Sequence, residues 1–420
     1  MKRTAISLAV AAAMSAGLAM NAQAGTVKTE GEDIIISTKN GGFSAKTESG
    51  DFSFKVSGKL QWDYAGFGDV YTHDSDNDAY KDSTTGYIRR GEVKFSGKAY
   101  KDFKYALKLA KDDDDKFEVD DAYIEYLGLD PVELRFGRWG RGFGLEDSVS
   151  SSWIMGIERP MMYDVLEQDG GNKYGVRAGV FEKNYTAHFG IHHDKRTDKN
   201  NSKDDLFGYT FRATAAPVMT DNMLVHVGFD YANTNVDESK AEKSSTKLGV
   251  KKADSISLFS VDSADEDSVY ILEGAAQFGS LQLQGEYFVR TIDGKNAETD
   301  VDVKGYYAQV SYMLDGGKRT YKKGEFSKPK GGQWEVFARY SEINVDADVN
   351  ASKGVDTSKD VDAEALTLGV NYFATKNVRA SVNYINSDTS NRFAKNATAT
   401  NGKKIVSDGS AVVGRLQYVF

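Results

Sequence analysis

The stretch Asp51-Phe52-Ser53-Phe54-Lys55-Val56-Ser57-Gly58-Lys59-Leu60-Gln61-Trp62-Asp63-Tyr64 decides the fold. Phe52, Phe54, Val56, Leu60, Trp62 and Tyr64 alternate with Ser53, Lys55, Ser57, Lys59, Gln61 and Asp63, the period of a strand whose two faces meet different surroundings. The alternation recurs at 93–99, 103–109, 122–126, 132–136, 174–180, 185–191, 207–213 and 223–231. It continues at 270–278, 281–289, 306–314, 334–340, 366–372, 378–384 and 412–420, which makes sixteen strands with the first.

The connections form a second regularity. Lys101-Asp102, Lys183-Asn184, Gly279-Ser280 and Thr375-Lys376 read as tight hairpins, whereas 67–86, 138–172, 233–267, 345–362 and 386–408 are long and polar. Short turns at one end, long loops at the other and an even strand number predict an all-β, 16-stranded antiparallel transmembrane β-barrel. The segment 315–332 breaks the rule, being long where a short turn is due. A soluble β-sandwich also alternates, but here the apolar face is rich in Tyr, Phe and Gly, as aromatic-girdled, lipid-facing strands are. The chain ends in Tyr418-Val419-Phe420, a terminal aromatic of the kind read by the Gram-negative outer-membrane assembly machinery, which makes that machinery an expected partner.

Composition agrees. A mean hydropathy of -0.50 excludes a helical membrane bundle. An aromatic content of 12% excludes disorder. Only 4 prolines occur, where average usage gives about 21, so few Pro-marked linkers separate compact domains. Lys2 and Arg3, the apolar run 5–20 and Ala22-Gln23-Ala24 read as a secretory signal peptide over 1–24. Residues 25–50 then form a periplasmic N-terminal segment and 51–420 the barrel, placing the protein in the outer membrane among lipid and lipopolysaccharide. With 0 cysteines the exported chain cannot use disulfides. Loss of Lys2 and Arg3 takes the net charge from -9 to -11.

Sixteen strands enclose more space than side chains fill, so the interior is expected to be an aqueous channel whose selectivity follows its inward charges. Parity points Lys55, Lys59, Arg90, Lys94, Lys98, Lys104, Lys108, Arg135, Arg177, Arg212, Arg290, Arg339, Arg379 and Arg415 inward. Against them stand Asp63, Glu92, Asp121, Glu125, Glu133, Asp230, Glu273, Glu286 and Glu335, while Asp69, Asp74, Asp76, Asp78 and Asp82 exemplify acidic outer loops. Low-dielectric walls focus the field of a basic lining and concentrate anions.

These residues carry a resemblance to the phosphate-selective porins O and P. The landmarks are 52–55 with 61–64, Ile88-Arg89-Arg90-Gly91-Glu92, Asp121-Ala122-Tyr123, and Phe136-Gly137-Arg138 with Phe143-Gly144-Leu145-Glu146. Ser151-Ser152-Trp153, Glu158-Arg159, 317–321, 324–326, Trp334-Glu335 and Arg339-Tyr340-Ser341 follow in order. The resemblance implies a homotrimeric porin whose third loop, from Arg138 to Asn172, folds into the lumen. Arg141, Ser150, Ser151, Ser152 and Arg159 of that loop, with Arg138 at its start, then belong to the pore, and Arg89 and Arg90 match an anion-binding arginine pair. Guanidinium forks take phosphate oxygens bidentately, while lysines offer point charges. Two departures bear on phosphate: Asp147 stands where the phosphate-selective pattern has lysine, and Ala65-Gly66-Phe67 where it has an arginine.

Other chemistry finds little support. His188 with His192-His193 lacks the ligand set of a metal centre, and Asp112 to Asp115 lack the spacing of a calcium loop. An outer-membrane acyl hydrolase would need Ser and His together, and neither His188 nor His226 stands in such a motif. No cofactor is expected. The acidic loops offer no nucleic-acid surface and leave a general or cation-preferring porin as the alternative to an anion channel. The mature protein is expected to begin at Gly25; an N-terminus at Met1 by mass spectrometry of outer-membrane material would contradict the signal peptide.

Overall fold

The computed structural model describes residues 25–27, 31–38, 41–72, 82–111, 116–166, 172–195, 205–235, 242–261, 264–294, 300–347, 361–389 and 407–420. The signal segment 1–24, Asp74, Asp76, Asp78 and the run Asp112 to Asp115 lie outside them.

Sixteen strands form the barrel: β1 (Ser53–Phe67), β2 (Ser83–Ala99), β3 (Phe103–Lys111), β4 (Phe117–Leu129), β5 (Val132–Gly140), β6 (Asn172–Phe181), β7 (Tyr185–Lys195) and β8 (Asp205–Met219). The others are β9 (Met223–Asn235), β10 (Ala264–Phe278), β11 (Leu281–Gly294), β12 (Val301–Met313), β13 (Trp334–Ala347), β14 (Val361–Phe373), β15 (Val378–Thr389) and β16 (Asp408–Val419). Each pairs antiparallel with its neighbour in sequence, and β16 returns to β1 with Leu416 opposite Trp62 and Val419 opposite Lys59. Closure leaves no strand edge in the lipid, where an unpaired backbone group costs several kcal/mol.

The two faces separate as the alternation predicts. Leu60, Trp62, Tyr64, Phe229, Leu272, Leu368 and Leu416 are exposed outside, while Gln61, Asp63, Arg212, Glu273 and Gln309 are buried inside. At the outer ends of β12 to β14 the polarity inverts. Val301, Val303, Ile343, Val345, Ala363 and Ala365 are buried inward, while Asp302, Glu342, Asn344 and Glu364 take the outward parity. These inward apolar groups cluster with Leu248, Val250, Leu258 and Phe259 of the fifth outer connection, which joins β9 to β10 and whose hairpin pairs Glu242–Thr246 with Ile256–Val261. The strands therefore run on beyond the apolar belt, which is why β13 reaches Ala347 rather than the 340 expected from alternation.

The long connection on the short-turn side is itself a hairpin, Lys318–Lys322 with Glu325–Lys330. Phe326 clusters with Leu145, Val149 and Ile154 of the third connection and with inward Leu224 and Ala275, and Tyr321 packs against them. Arg212 donates to the Gly324 carbonyl at 3.1 Å, and the Tyr321 hydroxyl meets His226 Nδ1 at 2.8 Å. This tip thus lies among inner-wall side chains.

Three short strands, Gly25–Val27, Ile34–Ser37 and Phe43–Thr47, precede the barrel. The last pairs with the start of β1, Phe43 opposite Val56, at the short-turn end and below the point where β16 stops. Phe420 exchanges two backbone hydrogen bonds of 2.9 Å with Gly58. A Cβ on Gly58 would stand 2.6 Å from the Phe420 ring and 2.3 Å from the Glu92 carbonyl oxygen, so only glycine lets the terminal ring lie on β1.

Two outcomes follow. Gly58→Val is expected to remove most of the heat-modifiable band on a semi-native gel by unseating Phe420 where the barrel closes. The second concerns Glu325, which burial pushes up to about 7 against the opposing pull of Arg212 and Lys322. Its folded value exceeds its unfolded one, so its contribution to docking is full below about pH 4.5 and is lost as pH rises through 7, a cost of about 3 kcal/mol at pH 8. Tryptic cleavage at Lys322 or Lys323 should therefore be faster at pH 8 than at pH 5.5 after correction for the protease's own pH profile, and Glu325→Gln should abolish the difference.

Candidate functional site

Two β-bulges build the site. Between β1 and β2 the register runs Gln61 to Arg90 and then Trp62 to Ile88, leaving Arg89 as the extra residue. A bulge re-aims side chains, and here two adjacent arginines reach the same carboxylate: Arg89 bonds Glu158 at 2.8 and 3.0 Å and Arg90 lies 3.8 Å from it. Between β3 and β4 the register runs Lys108 to Asp121 and then Leu109 to Val119, so Asp120 is extra. Lys108 then pairs with both acids, at 2.6 Å to Asp120 and 3.5 Å to Asp121.

A cavity of about 690 Å³ lies between β1 to β5 and the third connection. Among the described residues eight basic groups line it, Lys59, Arg89, Arg90, Lys94, Lys108, Arg135, Arg141 and Arg159, against the acids Glu92, Asp120, Asp121 and Asp147. Ser150 and Ser151 complete the wall, and Lys59 donates to the Ser151 hydroxyl at 2.5 Å while pairing with Glu92 at 3.0 Å. Lys94 pairs with Asp121 at 3.0 Å. Arg159 donates to the carbonyls of Glu146, Asp147 and Val149 at 3.1 to 3.2 Å and pairs with the Asp147 carboxylate at 3.5 Å. Of the expected anion-path residues Lys59, Arg89, Arg90, Lys94, Lys104, Lys108, Arg138, Arg141, Ser151, Ser152 and Arg159, eight thus meet around one space.

Three do not. Lys104 pairs with Glu125 at 3.3 Å outside the cavity lining. Ser152 is buried, and its carbonyl accepts from Arg379 and Gln417. Arg138 stacks 5.4 Å over the ring of exposed Tyr174 and shares its outward parity.

The arginines of the other wall differ from the open basic lining that parity suggests. Arg212, Arg290, Arg339, Arg379 and Arg415 do face inward, but each is buried and donates to carbonyl or carboxylate oxygens of the protein itself. Arg379 donates to the carbonyls of Ser152, Ile154 and Met155, Arg290 to that of Val165, Arg339 to that of Glu158 and Arg415 to that of Ile157. From the acidic side, Glu286 accepts the amides of Leu145 and Glu146 at 2.7 and 3.1 Å, at the start of helix α1 (Leu145–Ser148), where a carboxylate suits the helix dipole. Asp63 takes Arg415 bidentately at 2.7 Å. These inward charges hold the third connection instead of facing solution.

Sequence reasoning passed over Glu158, although it stands in a landmark pair. Burial raises its carboxyl, but Arg89, Arg90 and Arg415 outweigh that and hold it well below the usual carboxylate range. Arg319, also unassigned, bonds the Trp153 carbonyl and pairs with Glu335 at 2.6 Å. The histidines stay outside the site: His226 Nε2 meets Glu273 at 2.8 Å and His188 stacks on Phe181.

Residues 54–420 match the profile of the family described as phosphate-selective porin O and P. The chain is 33% identical to Porin O of Pseudomonas aeruginosa over 446 residues, covering 98% of each chain. In fold it is similar to an anion-selective porin from Comamonas acidovorans, with a TM-score of 0.53, 14% identity, and 88% of this chain and 100% of that one covered. It is likewise similar to the trimer form of OmpT of Vibrio cholerae, with a TM-score of 0.55, 12% identity and coverage of 88% and 99%. The sequence match, the closed sixteen-stranded barrel and the apolar belt make the protein a channel-forming porin of the Gram-negative outer membrane and not an enzyme. The chain belongs to the phosphate-selective porin O and P family.

Proposed function

We propose that the protein is an anion-selective porin, passing phosphate or related small anions by passive diffusion along the cavity beside β1 to β5. The observation that carries this is the excess, among the described residues, of eight basic over four acidic groups around one space of about 690 Å³. In low-dielectric walls such an excess raises the local anion concentration. Lysines and arginines in succession give weak sites that let an anion enter and leave. In this reading the third connection is the inward-folded constriction, and its hydrogen bonds to Arg290, Arg339, Arg379 and Glu286 support that role.

The working assembly is a homotrimer, with residues 25–50 on the periplasmic side and Phe420 presented to the barrel-assembly machinery during insertion. Phosphate is the finer part of the reading. It is supported by the Arg89–Arg90 pair reaching one carboxylate and opposed by Asp147 in the lining.

Zero-current potentials across a planar bilayer in a potassium chloride gradient test the anion preference: the reversal potential is expected on the anion side, and a value on the cation side would contradict it. Phosphate is expected to block chloride current. Arg90→Ala, removing one charge-assisted partner worth about 1.5 kcal/mol, should raise the half-blocking concentration about tenfold.

A further inference from the structure

Three guanidinium groups converge on one carboxylate supplied by the protein itself. Glu158 takes Arg89 through both oxygens at 2.8 and 3.0 Å, Arg415 at 2.8 Å, and has Arg90 at 3.8 Å. The fork-to-carboxylate geometry with Arg89 is the one guanidinium uses for any oxyanion. The side chain keeps 15% of its surface accessible, and Arg89 and Arg90 border the open cavity.

The backbone around Glu158 is held without that carboxylate. Ile157 N donates to Asn383 at 2.7 Å, Arg415 to the Ile157 carbonyl at 2.6 Å, and Arg339 to the Glu158 carbonyl at 3.1 Å. Exchange of the side chain's partners therefore leaves three anchors in place.

We infer that Glu158 is a tethered occupant of an oxyanion site formed by Arg89, Arg90 and Arg415, which a permeating multivalent oxyanion must displace. The inference rests on the anion path proposed above. Three guanidinium charges face Glu158 and the Asp63 carboxylate that grips Arg415. A monovalent anion entering in place of Glu158 exchanges one charge for one and gains nothing, whereas a divalent oxyanion adds a second charge and further acceptor oxygens. Tethering gives the internal competitor a high effective concentration. Residence at the arginines is thereby shortened, as throughput requires. Glu158 is thus a specificity-determining residue that sets a charge threshold for binding.

The test compares wild type with Glu158→Gln, which keeps the shape and removes the charge, in planar bilayers with inorganic phosphate at pH 8. The half-blocking concentration is expected to fall at least tenfold in Glu158→Gln, and Glu158→Asp should stay near wild type. An unchanged or higher half-blocking concentration would overturn the inference. So would a several-fold rise in chloride conductance, which would make the carboxylate a strut for the loop. A wild-type reversal potential on the cation side would instead defeat the anion path itself, whereas an anion-selective wild type with an insensitive Glu158→Gln would defeat only the inference.

Discussion

An unbroken ring of backbone hydrogen bonds is the constraint from which the rest of this molecule follows. In hydrocarbon no water can satisfy a free amide or carbonyl, so the sheet must close, and it does where Leu416 faces Trp62 and Arg415 faces Asp63 across β16 and β1. That closing pair serves two ends. On the outer face Trp62 and Leu416 meet lipid, and on the inner face the buried Arg415–Asp63 pair holds the Ile157 carbonyl. Removing one partner of such a buried pair typically costs about 3–5 kcal/mol, because the other charge is left uncompensated. Below it, Phe420 lies against Gly58 and completes the seam.

Closure creates a wide interior, and the charges on its wall divide into two kinds of work. Arginines on β8, β11, β13, β15 and β16 are buried among carboxylates and carbonyl oxygens. The apolar cluster under the fifth connection and the hairpin at 318–330 pack beside them. Lysines and arginines on β1 to β5 and on the third connection instead border open space. The sign of the wall as a whole is thus a poor guide to the field met by a solute, which depends on the groups beside its path.

The sequence made the barrel legible because each strand has one face in lipid, and a period of 2 survives any choice of loop conformation. Phe52 to Tyr64 alone carries it. Three things were not legible, each for a physical reason. Parity counts residues and cannot see a bulge, so it put Arg90 inward but offered no basis for bringing Arg89 to the same carboxylate, and it passed over Asp120. Above the membrane belt the solvent on the outside is water, so Val301, Val303, Ile343 and Val345 invert the pattern and hide the start of β12 and the end of β13. Burial of a charge depends on what packs over it, so Arg379 and Arg415 looked like lumen groups until the carbonyls of residues 152 to 157 were seen to cover them. The candidate site fared better, since eight of its residues meet, while Arg138, assigned to the pore through the resemblance, stands beside Tyr174 on the outward parity of β5.

We place the conducting path along β1 to β5, away from the buried inner-face side chains of β10 to β14. The chain has 0 cysteines, so a single introduced one reports without background. Lys94→Cys, on the cavity wall, and Ser341→Cys, buried on the inner face of β13, place thiols in the two halves. With a negatively charged methanethiosulfonate added to an open channel, conductance is predicted to fall for Lys94→Cys and to stay constant for Ser341→Cys. Rapid modification at position 341, or none at 94, would contradict that placement of the path.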